Sequence, residues 1–210
     1  TVMDYITIAS TGDAADFGDA VTGRVAHGTT SSSTRGIFGG GGSPTHLSSI
    51  EYITIASTGN AVKYGDLIAA TDRMGSGTGN SVRGFFAGGD APALSNVIQY
   101  LIIPNGGTAV DFGDLSAARK DLGMASQSHG GLNDGYQGTR IRPIPRGGGS
   151  GTRALFSGGS TGSSPYASSE MSYVNTTTTG NSNNFGDLSE NHGDAAAGAS
   201  STRAIVSFSG

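Results

Sequence analysis

Apolar and aromatic residues fall in short runs that end in glycine or small polar residues, and the runs recur. "SIEYITIA" (49–56) alternates β-branched and aromatic positions with polar ones, the period of a half-buried strand. "GIFGGG" (36–41) is apolar and stops at glycines. A brief strand is expected to end at an aromatic-Gly-Asp corner, and a fourth, rich in glycine, alanine and serine, follows the "LSAAR" kind of segment. No stretch carries the spacing of a long amphipathic helix, so the pattern predicts an all-β chain with four short strands per unit.

The units are phased by landmarks. Tyr5, Tyr52, Tyr100 and Tyr173 are each followed seven residues later by Gly12, Gly59, Gly107 and Gly180. Twelve residues after each tyrosine comes Phe17-Gly18-Asp19, Tyr64-Gly65-Asp66, Phe112-Gly113-Asp114 or Phe185-Gly186-Asp187. Arg35, Arg83, Arg153 and Arg203 then head the apolar runs, 18, 19, 41 and 18 residues beyond the triplet aromatic. The third unit therefore carries an insertion, residues 127–150. The repeat is about 47 residues, and a repeat of that length holding four strands is the signature of a propeller blade, which buries its faces only against neighbours. Counting gives a single domain over 1–210 with four blades.

The chain opens on a tyrosine strand and closes on an arginine-headed strand, neighbours in every internal copy. The last blade is therefore expected to be completed by strands from both termini, which would remove two exposed sheet edges. The strand nearest the axis is expected in "VAHGTTSSS", "MGSGTGNS", "GMASQS" and "DAAAGASS", whose small side chains suit a narrow ring. A fragment of a larger ring, or assembly with further copies, is the alternative.

Composition narrows the picture. Thirty-seven glycines in 210 residues could suggest low complexity, yet the net charge is only −4 and the periodicity is strict, which argues for packed order. The absence of cysteine removes disulfides, thiolate metal sites and cysteine nucleophiles. No apolar run approaches the roughly 18 residues of a membrane span, so no membrane insertion is expected.

Three segments carry a family resemblance: "FGDLSAARKDLGMAS", "TRALFSGG" and "EMSYVNTTTTGN". Their order resembles a Kelch repeat: an aromatic near the end of a strand, a small-residue segment with an arginine, an apolar strand ending in Gly-Gly, then a tyrosine-bearing strand. Here Phe or Tyr stands where Kelch repeats usually have Trp, and the last copy ends Ser207-Phe208-Ser209-Gly210. The resemblance implies a Kelch-like propeller. It also sets aside the Kelch-type copper oxidases, whose crosslinked tyrosine needs a cysteine. Near-identical repeats rich in Gly, Ser, Thr and Asn further resemble propeller repeats of tail or fibre proteins of bacterial viruses.

Candidate residues divide by symmetry. Asp19, Asp66, Asp114 and Asp187 could ring a cation, but residues present in every copy point to a structural turn, with the carboxylate accepting backbone N–H bonds. Arg35, Arg83, Arg153 and Arg203 could bind an anion, and are expected to pair with repeat carboxylates or cover blade edges. The symmetry breaks in the insertion, where Tyr136, Arg140, Arg142 and Arg146 face a single acid, Asp134, and "IRPIP" must be extended. These four residues are the expected partner-binding set.

His27, His46, His129 and His192 show no metal-ligand spacing, and no phosphate loop or nucleophile elbow appears. No metal, cofactor, catalytic residue or nucleic-acid partner is expected. The leading expectation is a non-enzymatic structural or recognition propeller of a virion or extracellular particle. Its partners would be neighbouring structural proteins, a cell-surface receptor or a glycan, with self-association possible in principle. A lectin with one sugar pocket per blade and a Kelch-type protein-interaction adaptor are the alternatives.

Overall fold

A computed structural model describes residues 1–42, 44–80, 82–90, 92–126, 153–199 and 203–208. The chain is all-β, with sixteen strands and no helix among the described residues. Three four-stranded antiparallel meanders follow one another: β3 (Gly28–Ser31) to β6 (Val62–Asp66), β7 (Gly75–Gly79) to β10 (Val110–Asp114), and β11 (Gly123–Ser126) to β14 (Asn183–His192). Two two-stranded sheets flank them, β1 (Val2–Tyr5) with β2 (Ala15–Asp19) and β15 (Ala195–Ala199) with β16 (Ala204–Phe208).

Corresponding strands of the three meanders hold the same register. In β4 (Arg35–Gly39) and β5 (Ser49–Thr54), Ile37 faces Tyr52. Phe85 faces Tyr100 and Leu155 faces Tyr173 in the pairs β8 (Arg83–Ala87) with β9 (Val97–Ile102) and β12 (Arg153–Ser157) with β13 (Ser168–Asn175). The apolar positions of these strands form the core. One cluster joins Ile37, Ile50, Leu67, Met74, Phe86 and Leu101, and a second joins Phe85, Ile98, Phe112, Leu122, Met124 and Phe156. Each cluster draws on two successive meanders, so no meander buries its own faces.

The first strand of each unit lies on the inside. Thr30 of β3 donates its hydroxyl to the Thr78 carbonyl of β7 (2.9 Å), and Ser126 of β11 donates to the Gly79 carbonyl (2.8 Å). Gly123 bridges Ser76 in parallel, linking the second and third meanders. A Cβ added at Gly123 would stand 3.3 Å from the Ala195 and Ala197 methyls of β15. Small side chains here let four backbones approach.

At the outer edge the aromatic-Gly-Asp triplet is a β-bulge inside the last strand rather than a turn after it. The register slips between Asp111 and Gly113, and again beside Gly18 and Gly65. The bulge turns two carbonyls toward the next unit. Gly59 N–H donates to Phe17 O (2.7 Å), Gly107 to Tyr64 O (3.0 Å) and Gly180 to Phe112 O (2.8 Å). Ala61, Ala109 and Ser182 repeat the bond to Asp19, Asp66 and Asp114, each at 2.8 Å. A Cβ at Gly18 would stand 2.5 Å from the Gly59 carbonyl oxygen, and those at Gly65 and Gly113 would lie closer still to Gly107 and Gly180.

The fourth joint is not made. No bond among the described residues links Phe185 or Asp187 to Gly12 or Ala14, and β16 does not pair with β1. The expected completion of the last unit by strands from both termini is thus two separate half-sheets here. They expose what the complete units bury or half-bury: Ile205 is 75% exposed where Ile37 is 1%, Phe85 0% and Leu155 half-buried, and Ile6 is 64% exposed where Leu101 is 2% and Ile53 half-buried.

Gly65 is the cleanest test of the joint, because its φ lies outside the left-handed region and only the clash opposes a side chain. Gly65→Ala is expected to cost about 1–3 kcal/mol from overpacking against Gly107. Urea unfolding of the variant beside Gly12→Ala, which meets open space, measures it.

Candidate functional site

The residues repeated in every unit serve packing. The guanidinium carbon of Arg35 lies 5.0 Å from the Tyr52 ring centre, that of Arg83 4.8 Å from Tyr100 and that of Arg153 5.0 Å from Tyr173. Arg35 also donates to the Tyr64 hydroxyl and to the Ile103 and Pro104 carbonyls, and Arg83 to the Thr176 carbonyl (2.8 Å). Arg35, Arg83 and Arg153 therefore lie over tyrosine faces, and Arg35 and Arg83 also meet backbone carbonyls, a geometry that a planar guanidinium favours; of the two expectations, a carboxylate partner or cover of a blade edge, no carboxylate among the described residues pairs with these three. Arg203, at the lead-in to β16, is exposed.

The triplet aspartates do not cap turns. Asp66 accepts from the Ser48 hydroxyl and pairs with Lys63, and Asp19 accepts from Thr1. Their backbone N–H groups are the ones that are capped, Asp19 by Asn60 Oδ1 (3.0 Å) and Asp114 by Asn181 Oδ1 (3.1 Å), across the joints. Asp187 lies in β14 with Tyr173 and Phe185 packed edge-to-face nearby, and Tyr5 packs the same way on Phe17. Tyr136, Arg140, Arg142 and Arg146, with the 127–150 insertion, lie outside the described residues.

Sequence reasoning passed over a buried slot that each unit fills differently. In the first meander Arg24 and Glu51, both almost wholly buried, form an ion pair; Arg24 also donates to the Gly40 and Ser49 carbonyls at 2.8 Å. Glu51 accepts from the Val21 and Thr22 amides as well. In the second meander the same positions are Thr71 and Gln99, neutral, with Gln99 accepting from the Ile68 amide (2.9 Å). In the third they are Arg119 and Ser172. Arg119 is fully buried and donates to Gly158 O, Glu170 O and Ser172 Oγ, but no carboxylate hydrogen-bonds it and its Nε has no partner. Burial lowers its pKa, with the charge of Glu170 opposing. The repeat alignment carried the signal, since positions 24, 71 and 119 change charge inside a conserved frame.

The second feature is a mouth at the end where the inner strands begin. Ala26, Arg73 and Asp121 hold equivalent left-handed conformations (φ 53°, 50° and 53°). Their backbones form a ladder: Arg73 N–H to Ala26 O (2.8 Å), Asp121 N–H to Arg73 O (2.9 Å) and Ala195 N–H to Asp121 O (3.0 Å). The ladder rims a cavity of about 590 Å³ whose lining includes His27, Arg73, Met74, Asp121, Leu122 and Asp194. Arg73 Nη1 stands 3.7 Å from Asp121 Oδ2. Burial raises the Asp121 pKa, opposed by Arg73 and reinforced by Asp194.

Burial lowers the His27 pKa, helped by the Arg24 charge and opposed by Glu51, and its Nδ1 is buried without a hydrogen-bond partner. His46 Nδ1 lies 3.4 Å from Asp72, and His192 ends β14. Among the described residues no group of three His, Cys, Asp or Glu could hold a metal ion. No helix among them is long and apolar enough to cross a membrane. Compared with known proteins, the chain matches no family model and no curated sequence.

The slots make opposite expectations for two arginines. Arg24→Met leaves the Glu51 charge buried without its partner and is expected to cost about 3–5 kcal/mol. Arg119→Met removes a buried cation that no carboxylate hydrogen-bonds, along with its own hydrogen bonds, and is expected to cost less, as denaturant midpoints of the two variants will show.

His27 sets a pH dependence. Its folded-state pKa lies below its unfolded value, so its contribution to stability is complete above the ordinary histidine value of about 6.5 and is lost as pH falls from there. His27→Phe is expected to reduce the loss of stability below about pH 6.5, measured by unfolding at a series of pH values.

Proposed function

We propose that the chain is a β-propeller of four Kelch-like blades, the fourth assembled from β15–β16 and β1–β2. It acts as a non-enzymatic structural or recognition module of an extracellular or viral particle, meeting a receptor, glycan or neighbouring subunit through loops on one face. The observation that carries this reading is the pattern of joints. The β1–β2 sheet and the three meanders are linked in succession by the same bonds from strand bulge to glycine loop, and the free bulge of β14 in the third meander and the glycine loop between β1 and β2 are the two halves of a fourth link. The exposed Ile6 and Ile205 fall at positions that are buried in two of the three complete units and half-buried in the other.

The buried slot supports the same assembly. In the fourth blade its two positions fall to His192 and Asp4, which come from opposite ends of the chain and can meet there as a hydrogen-bonded pair in the place of Arg24 and Glu51. Within complete blades the repeated tyrosines lie under arginines, so no stacking face recurs from blade to blade as a lectin with repeated pockets would need. The exposed aromatic rings, Tyr5, Phe185 and Tyr166, lie on the half-joined elements or a connection. A module of this kind would bind where the units differ.

Two experiments test the reading. By register, Ile205 should face Tyr5 as Ile37 faces Tyr52, so Tyr5→Cys with Ile205→Cys in the cysteine-free chain is expected to crosslink within a monomer under mild oxidation. Only intermolecular disulfides, or none, would rule out the closed ring. Separately, Gly113→Ala and Gly186→Ala carry similar backbone strain (φ 147° and 136°), but only Gly113 meets a neighbouring carbonyl. Equal destabilisation by the two marks a closed fourth joint, whereas a distinctly smaller effect at Gly186 marks an open one.

A further inference from the structure

The mouth at the start of the inner strands is where near-identical units differ most in charge. One repeat position holds Ala26, Arg73, Asp121 and Asp194, while the glycine two residues on is kept at Gly28, Gly75 and Gly123. The outer charges at this end are satisfied: Lys120 Nζ lies 2.6 Å from Asp90 and His46 sits beside Asp72. The inner ones are held by a single longer ion pair. Arg73 and Asp121 stand 3.7 Å apart, beyond hydrogen-bond reach, and among the described residues neither their charged groups nor the Asp194 carboxylate takes part in a hydrogen bond. The cavity they line, about 590 Å³, is of small-molecule size, and Met74 and Leu122 give it an apolar wall.

We propose that this mouth binds a small zwitterion of about dipeptide size, its carboxylate on the Arg73 guanidinium and its ammonium between Asp121 and Asp194. Charge matching selects the class. A simple anion would face two carboxylates, a simple cation would draw Asp121 away from Arg73, and a neutral ligand would desolvate three ions without adding a partner. The guanidinium fork matches a carboxylate in two-point geometry, and two neighbouring carboxylates favour a cation between them. An aliphatic side chain then has Met74 and Leu122 to cover. The site draws on contacts already formed between units, so it stands apart from the recognition role and from closure of the fourth joint.

Titration calorimetry on the whole chain tests it, with alanyl-leucine, its N-acetyl derivative and its C-terminal amide as probes. The free dipeptide is expected to bind and each blocked form to bind at least roughly tenfold more weakly, the loss of one charged contact. Arg73→Met should abolish the difference between acid and amide, and Asp194→Asn, at an exposed position, should shrink the difference between free and acetylated amine. If Arg73→Met fails to fold, the amide against the wild-type chain reads the same contact. No binding of the free dipeptide at millimolar concentration, or equal binding of all three probes, overturns the proposal.

Discussion

The structure depends on backbone meeting backbone between units. A four-stranded meander of about five-residue strands cannot bury both faces alone, and each core cluster here is shared by two successive meanders. That sharing requires the outer strand of one unit and the glycine loop of the next to come within hydrogen-bond distance along two bonds. A bulge in the outer strand turns its carbonyls outward, and the bulge glycine leaves no Cβ in the way. The aromatic before the glycine fills the space behind the joint. Tight spacing at these joints explains why the central residue of the triplet is glycine in every copy, whereas the aromatic before it is either Phe or Tyr.

Much of this was legible in the sequence, for a physical reason. Repeats must satisfy the same joint every time, so joint residues recur at fixed spacing, and the four-strand unit and the inner small-residue strands could be read by counting. What each recurring residue does could not be read that way. The triplet looked like a turn because Gly-Asp is turn chemistry, yet its aspartate is extended within a strand and the capping side chains, Asn60 and Asn181, belong to the next unit. The arginines looked like ion-pair partners because charge suggests charge, yet the tyrosines they cover lie on the adjacent strand, a pairing visible only in register.

The slots show how a repeat tolerates change once the frame is fixed. Arg24 with Glu51, Thr71 with Gln99 and Arg119 with Ser172 fill one space with a charge pair, a neutral pair and a lone buried cation. The guanidinium keeps the same two carbonyl partners in the first and third units, Gly40 and Ser49 in one and Gly158 and Glu170 in the other. Backbone acceptors thus hold the arginine in place, and the carboxylate adjusts the charge. An ion pair that can be exchanged for a neutral pair in a sister unit is a matter of local stability and does not specify the fold.

The mouth obeys a different rule. Left-handed backbone is ordinarily given to glycine, and the chain does so at Gly40, Gly88 and Gly158 among others. At the rim it places Ala26, Arg73 and Asp121 in that conformation, a strain on the order of 1–3 kcal/mol each that glycine would relieve. The backbone ladder that runs from Ala26 through Arg73 and Asp121 to Ala195 could be formed by glycines as well, since it uses only N–H and C=O groups. The side chains placed on this strained backbone are a methyl group, a guanidinium and a carboxylate. Two of those three side chains are charged, of opposite sign, and line one cavity. Their ion pair joins two successive units at the edge of that cavity, so the same two charges can serve the joint and a bound charged molecule.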